Sequence, residues 1–209
     1  MTTRAKAMKA AEQPNKGRGR CVCAAAIVCL VALVALVALL APASRGQDAK
    51  PNEYQVKAVY LYNFGRFVEW PAQAATAKGA SFDICILGHD PFGPVLDSTV
   101  AGEKIDGQRV MVRRIVKVQE AAGCRILFIT TSEESRLKDI LSALERTGVL
   151  TVSDIPHFSE RGGMIQLLEQ GGKIRFEVNL TNAQDEGLTL SSDLLKVAAA
   201  VRKNSQPGD

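Results

Sequence analysis

The residue types that could do chemistry gather at a few places in the chain. Thr151-Val152-Ser153-Asp154-Ile155-Pro156-His157 sets a serine, an aspartate and a histidine within five residues, which invites a hydrolase reading. Nucleophilic catalysis needs three side chains to converge on one atom, which so short a span seldom allows, and no G-x-S-x-G elbow surrounds Ser153. Ser153 and Asp154 are read instead as strand-end turn residues, with contact to a ligand or partner as the alternative. Gly88-His89-Asp90-Pro91-Phe92-Gly93 stands where α/β sheets bind ligands, after the carboxyl end of a strand. It is neither a dinucleotide nor a Walker loop, and the Asp90 carboxylate would repel a phosphate. The simpler reading is a helix start with Asp90 as N-cap and Pro91 at the first helical position, small-ligand contact at His89 and Asp90 being the alternative. Arg66 could hold an anionic group, but a surface pair with Glu69 explains it as well. His89 and His157 are the only histidines and form no i, i+4 pair, so neither a metal nor a cofactor is expected, nor catalysis.

Positioning these residues requires a folded domain, and the chain begins with a segment that is not part of one. Residues 1–20 carry Arg4, Lys6, Lys9, Lys16, Arg18 and Arg20; Cys21 to Ala41 is apolar, and Ala41-Pro42-Ala43 is a small-x-small cleavage pattern. This reads as a bacterial export signal over 1–43, followed by a polar linker over 44–51. An apolar run of about 21 residues is also near the length that spans a bilayer, which leaves an uncleaved anchor as the alternative.

Removing the signal changes the electrostatics. The formal +4 of the whole chain becomes about −1 from residue 44 onward, because six of the 26 cations and one of the 22 carboxylates lie before it. No basic field remains to follow a polyphosphate backbone, which argues against nucleic-acid binding. Of five cysteines only Cys85 and Cys124 follow the signal. Two cysteines at corresponding places in two strands, in an oxidising compartment, predict a disulfide between neighbouring strands, with two buried thiols as the alternative.

Periodicity supplies the elements. From Asn52 to Trp70-Pro71 an apolar stripe of Val56, Val59, Tyr60, Phe64, Phe67 and Val68 predicts a helix, with Gly65 inside it suggesting close packing. Phe82–Gly88 and Cys124–Thr130 read as buried strands, Pro94–Val100 as completing the short helix that Asp90 and Pro91 begin, and Gln108–Val116 as a strand after an Asp106-Gly107 turn. Glu133–Arg146 reads as an amphipathic helix with Leu137, Ile140, Leu141 and Leu144 inward, and Val149–Val152 as a further strand. Met164–Glu169 and Lys173–Leu180 read as an antiparallel hairpin. Ser191-Ser192-Asp193 caps a last helix with Leu194, Val197, Ala198 and Val201 inward. The order predicts one α/β domain over 52–203, a three-layer Rossmann-like fold with a mostly parallel sheet and a C-terminal antiparallel hairpin plus helix, then a frayed tail over 204–209.

Several blocks together resemble a known family. They are Lys57-Ala-Val-Tyr-Leu-Tyr-Asn-Phe-Gly-Arg-Phe-Val-Glu-Trp-Pro71, Ile84-Cys-Ile-Leu-Gly-His-Asp-Pro-Phe-Gly93, Cys124-Arg-Ile-Leu-Phe-Ile129, Leu150-Thr-Val-Ser-Asp154, Gly162-Gly-Met-Ile165, Ile174-Arg-Phe-Glu-Val-Asn179 and Leu190-Ser-Ser-Asp-Leu-Leu-Lys-Val-Ala198. In this order they resemble the YfiR-type periplasmic regulators. The resemblance implies an exported, non-enzymatic protein of the Gram-negative periplasm that restrains an inner-membrane diguanylate cyclase by binding its periplasmic sensing domain, and so controls cyclic di-GMP and biofilm growth. It also implies a homodimer whose membrane contact runs only through the partner or an uncleaved leader, and it matches Cys85 with Cys124 to the family's cysteine pair. A second cysteine pair of some members is missing here. A periplasmic small-ligand sensor acting on another membrane signalling protein is the alternative.

Overall fold

The computed structural model describes residues 53–71 and 81–203. The export signal, the linker, the Asn52 cap, the Ala/Thr/Gly loop at 72–80 and the tail lie outside the described residues. Among the described residues no helix is long and apolar enough to cross a membrane.

The chain opens with helix α1 (Glu53–Phe67), which runs into the two-residue strand β1 (Val68–Glu69). Then come β2 (Ser81–Leu87), α2 (Pro94–Val100), β3 (Lys104–Ile105), β4 (Gln108–Ile115), a 3-10 turn at Val118–Gly123, and β5 (Ile126–Ile129). A second 3-10 turn (Thr131–Arg136) leads into α3 (Leu137–Ala143), followed by β6 (Leu150–Ser153), β7 (Ile165–Gln170) and β8 (Lys173–Asn179). The described chain ends in α4 (Leu180–Asp185), β9 (Thr189–Leu190), α5 (Ser192–Val197) and β10 (Ala200–Arg202). The main sheet has the order β10-β8-β7-β6-β5-β2-β4-β3, and β1 pairs with β9 in a separate two-stranded sheet. Pairings from β4 through β2, β5 and β6 to β7 are parallel; β7 with β8 and β3 with β4 are antiparallel.

Alternation along the central strands divides the apolar residues between two cores, which makes the domain three-layered. Phe82, Ile84 and Ile86 of β2 and Ile126 and Phe128 of β5 join Leu61 and Phe64 of α1, Leu96 of α2 and Leu194 of α5. Cys85 and Leu87, with Leu127 and Ile129, face Leu137, Ile140 and Leu144 around α3 on the other side. β5, buried on both faces, is apolar throughout, whereas the equally buried β6 carries Thr151 and Ser153, whose hydroxyls are hydrogen-bonded to Met164 N–H and Ile129 O. Cys85 and Cys124 are bonded, with Cα atoms 5.9 Å apart, and they tie β2 to the entry of β5 on the second core.

The predicted helix Glu133–Arg146 is a 3-10 turn up to Arg136 and an α-helix only over Leu137–Ala143. Four further local readings need correction. The helix after β2 starts at Pro94 with Gly93 as N-cap, and Asp90 instead accepts the Phe92 N–H at 2.8 Å in a tight turn. Two Xaa-Pro steps stood close together and the second one opens the helix. The buried face of α1 is Lys57, Ala58, Leu61, Phe64 and Gly65, while Val59 and Phe67 are exposed. Small residues let the helix approach the sheet: a Cβ on Gly65 would stand 2.5 Å from Ile105 Cδ1 and 2.9 Å from Phe82 Cζ. The third correction concerns α5, which Ser191 caps as expected by accepting the Leu194 N–H, but which stops at Val197. Ala200–Arg202 leave the helix to pair in parallel with β8, so Val197 and Val201 point outward. Finally, Lys173–Leu180 does not stay extended to its end: Asn179 caps α4, an element the strand pattern concealed.

Candidate functional site at the carboxyl ends of the strands

β2 lies between β4 and β5, so successive connections leave it in opposite directions and a crevice is expected between the carboxyl ends of β2 and β5. In this protein that crevice is filled. The Thr130 N–H donates to Leu87 O at 3.1 Å, the His89 N–H donates to Ser132 Oγ at 3.0 Å, and the Thr130 and Ser132 hydroxyls lie 2.8 Å apart. Gly88 has φ +97°, and a Cβ there would come within 2.3 Å of Thr130 Oγ1 and 2.4 Å of Ser132 Oγ. The glycine is required because the two loops touch.

On one side of the closed crevice Asp90 holds Arg114. Its Oδ2 accepts from Arg114 Nε at 3.0 Å, and the same guanidinium donates to both Asp97 oxygens and to Gly93 O at 2.9 Å. These bonds hold Asp97 below the ordinary carboxylate range and raise Arg114, so the group stays an ion pair that orders the loop. On the other side Asp154, just past β6, reaches α1. Lys57 Nζ donates to Asp154 Oδ2 at 2.6 Å and lies 2.5 Å from Glu53 Oε1, while the Tyr54 hydroxyl stands 3.4 Å from Asp154 Oδ2. Lys57 is only 3% exposed. Burial pulls its ammonium toward deprotonation, yet the hydrogen bonds to Asp154 and then Glu53 leave its pKa raised. Tyr54 is likewise raised, first by burial and then by the Asp154 charge. A lysine held protonated is neither a base nor a nucleophile at neutral pH.

The structure therefore sorts the sequence candidates. Asp90 and Asp154 belong to one rim, joined through the edge-to-face contact of Tyr54 with Phe92 at 5.3 Å. Ser153 is fully buried; its hydroxyl donates to Ile129 O at 2.7 Å and accepts the Ile155 N–H at 3.0 Å, which is turn chemistry. His157 is exposed and pairs with Glu160 at 3.1 Å. His89 engages the rim through its backbone N–H. Arg66 lies 12 residues along α1 from Tyr54, about 18 Å by helical rise. It stacks over the Tyr62 ring at 5.9 Å in place of the expected pair with Glu69. Among the described residues no group of His, Cys, Asp and Glu is arranged to hold a metal. Sequence reasoning missed Lys57, Tyr54 and Glu53. The available signal was a lysine one turn after a glutamate and flanked by Tyr54, Ala58 and Leu61, all on the helix's inward side.

Solved structures similar to this chain include an ABC domain from Streptococcus pneumonia in complex with L-Trp, at 14% identity, covering 58% of this chain and 55% of that one with a TM-score of 0.43. Another is a conserved domain protein from Vibrio cholerae O1 biovar El Tor strain N16961, at 12% identity, covering 72% and 60% with a TM-score of 0.49. The chain thus spans little more than half the length of each of these. A comparison with curated proteins found no match. The family model DUF4154, described as YfiR/HmsC-like, matches residues 54–199, and the chain belongs to that family.

Proposed function

We propose that this chain is an exported periplasmic protein with no reaction of its own, which binds and restrains the periplasmic sensing domain of an inner-membrane diguanylate cyclase as a homodimer. Its release would raise cyclic di-GMP and favour biofilm growth. The observation that carries this reading is the closed rim: the crevice that α/β sheets use for ligands is occupied by Gly88, Thr130 and Ser132, and Asp90 and Asp154 are committed to Arg114 and Lys57. What the domain offers a partner is its surface. The test is a pull-down from solubilised membranes with the exported domain as bait, followed by cyclase assays on the captured protein with and without the domain. A captured cyclase whose output falls when the domain is added supports the reading; a captured cyclase whose output is unchanged overturns the restraint.

A second reading, a small-ligand sensor, is favoured by one feature. An open cavity of about 620 Å³ lies between α3 and α4, with Leu141, Leu144 and Met164 among its lining and Lys138, Arg146 and Asp185 at its polar positions. Such a volume suits a small molecule. A ligand at 100 times its dissociation constant would stabilise the fold by about 2.7 kcal/mol and raise the melting temperature accordingly.

A further inference from the structure

One long strand edge of the main sheet has no neighbour among the described residues. β4 pairs with β2 over its whole length from Arg109 to Ile115, but on its other side β3 covers only Gln108 and Arg109, and the Val110 N–H reaches Glu103 O. From Met111 to Ile115 no described strand pairs with that side of the backbone. Met111 is 45% exposed and Val116, just beyond the strand, 76%. An open edge flanked by exposed apolar side chains is a template for another extended chain.

Charge decides which chain. The stretch 103–117 holds the cations Lys104, Arg109, Arg113, Arg114 and Lys117 against the carboxylates Glu103 and Asp106, in a domain whose overall charge is close to neutral. Arg113 and Arg114 have partners in Asp83 and in Asp90 with Asp97. Lys104 and Arg109 do not: they stand directly opposite each other across the β3–β4 pair, both exposed, with no carboxylate within ion-pair distance of either among the described residues. Like charges facing each other across a strand pair are destabilising unless something anionic lies between or beside them. The same two unpaired cations disfavour a second copy of this edge, which would bring further basic side chains toward them.

We infer that the β4 edge at Met111–Ile115 is a docking site for an acidic extended segment of a partner protein, which would add a strand beside β4 and place carboxylates against Lys104 and Arg109. The inference does not require the partner to be a cyclase, so its fate is separate from that of the proposed function.

The test uses the purified protein with three synthetic ten-residue peptides. One alternates glutamate with valine, one replaces the glutamates by lysine, and one keeps the glutamates but carries prolines at two valine positions. Amide hydrogen exchange is followed residue by residue. The expected result is that millimolar acidic peptide slows the outward-pointing amides of Met111–Ile115 by about tenfold or more, while the lysine and proline peptides do not. In Lys104→Glu/Arg109→Glu, whose exposed side chains leave the fold intact by its unchanged melting temperature, the preference should switch to the lysine peptide. Equal effects of the acidic and proline peptides would reduce the site to charge attraction and overturn strand addition. Protection that grows with protein concentration alone would assign the edge to a second copy instead. No protection at Met111–Ile115 with the acidic peptide would also overturn the inference.

Discussion

Lys57 Nζ lies 2.6 Å from Asp154 Oδ2 and joins the first turns of α1 to the end of β6, although 97 residues of chain separate them. The lysine is buried and the aspartate side chain is 11% exposed, so removing the lysine leaves Asp154 without its cation, whereas Lys57 would still keep Glu53. Breaking a buried pair from one side costs about 3–5 kcal/mol, whereas replacing both members by apolar groups of similar size is near neutral. Lys57→Met should therefore destabilise the domain by about 3 kcal/mol, because the stranded Asp154 keeps some access to water. Lys57→Met/Asp154→Leu should recover most of it. Urea denaturation of the two variants checks this, and a double variant no better than the single one would show that the lysine acts through packing alone.

The same pair predicts an alkaline effect of definite sign. Lys57 is held above its ordinary 10.5 and Tyr54 above 10.0 in the folded chain. A raised pKa means that the folded state holds its proton more tightly than the unfolded one. The resulting stability is complete below the unfolded pKa and is lost as pH rises through the folded value. The difference in unfolding free energy between wild type and Lys57→Met should stay constant from pH 7 to about pH 10 and shrink above that. A difference that already closes between about pH 7 and pH 9 would mean that burial, not hydrogen bonding, dominates the lysine.

Cys85 and Cys124 close a loop of 39 residues and are wholly buried. Constraining the unfolded chain over such a loop is worth about 4 kcal/mol in the chain-entropy description. Cys85→Ser/Cys124→Ser should melt well below the wild type in oxidising buffer and much closer to it under reductant, where both chains lack the crosslink. Calorimetry in the two buffers reads the difference directly.

How much of this was legible follows from the range of the interactions. β2 and β5 could be read because burial on both faces leaves nearly continuous apolar runs, and the disulfide because the chain after the signal holds two cysteines, one within the β2 run and one just before the β5 run. The Ser191 cap was legible for the same local reason. The Lys57–Asp154 pair was not, since nothing near Lys57 indicates that residue 154 will stand above it. The end of α5 was misread because Val201 kept helical spacing while the open side of β8 offered Ala200–Arg202 backbone partners, and the sheet prevailed. β1, β3 and β9 are two residues each and too short to carry a period. At the rim, Asp90 and Asp154 could be singled out by type, but their partners Arg114 and Lys57 are brought by tertiary packing alone.

Gly65 offers the sharpest test of how α1 is seated. Alanine there gains about 1 kcal/mol of helix propensity, which acts against any packing loss. The added methyl would, however, lie 2.5 Å from Ile105 Cδ1 and 2.9 Å from Phe82 Cζ. Overpacking of this kind costs about 1–3 kcal/mol, so Gly65→Ala should be destabilising by about 1 kcal/mol net. The nearest clash is with the terminal methyl of one isoleucine, so Ile105→Val removes it. Gly65→Ala/Ile105→Val should therefore be more stable than Gly65→Ala, even though Ile105→Val alone weakens the wild type by about 1 kcal/mol. That reversal of sign is the signature of direct contact between α1 and β3. Additive losses in the four-member cycle would show that α1 is held off the sheet at Gly65 and is fixed instead by its first turns, through Lys57.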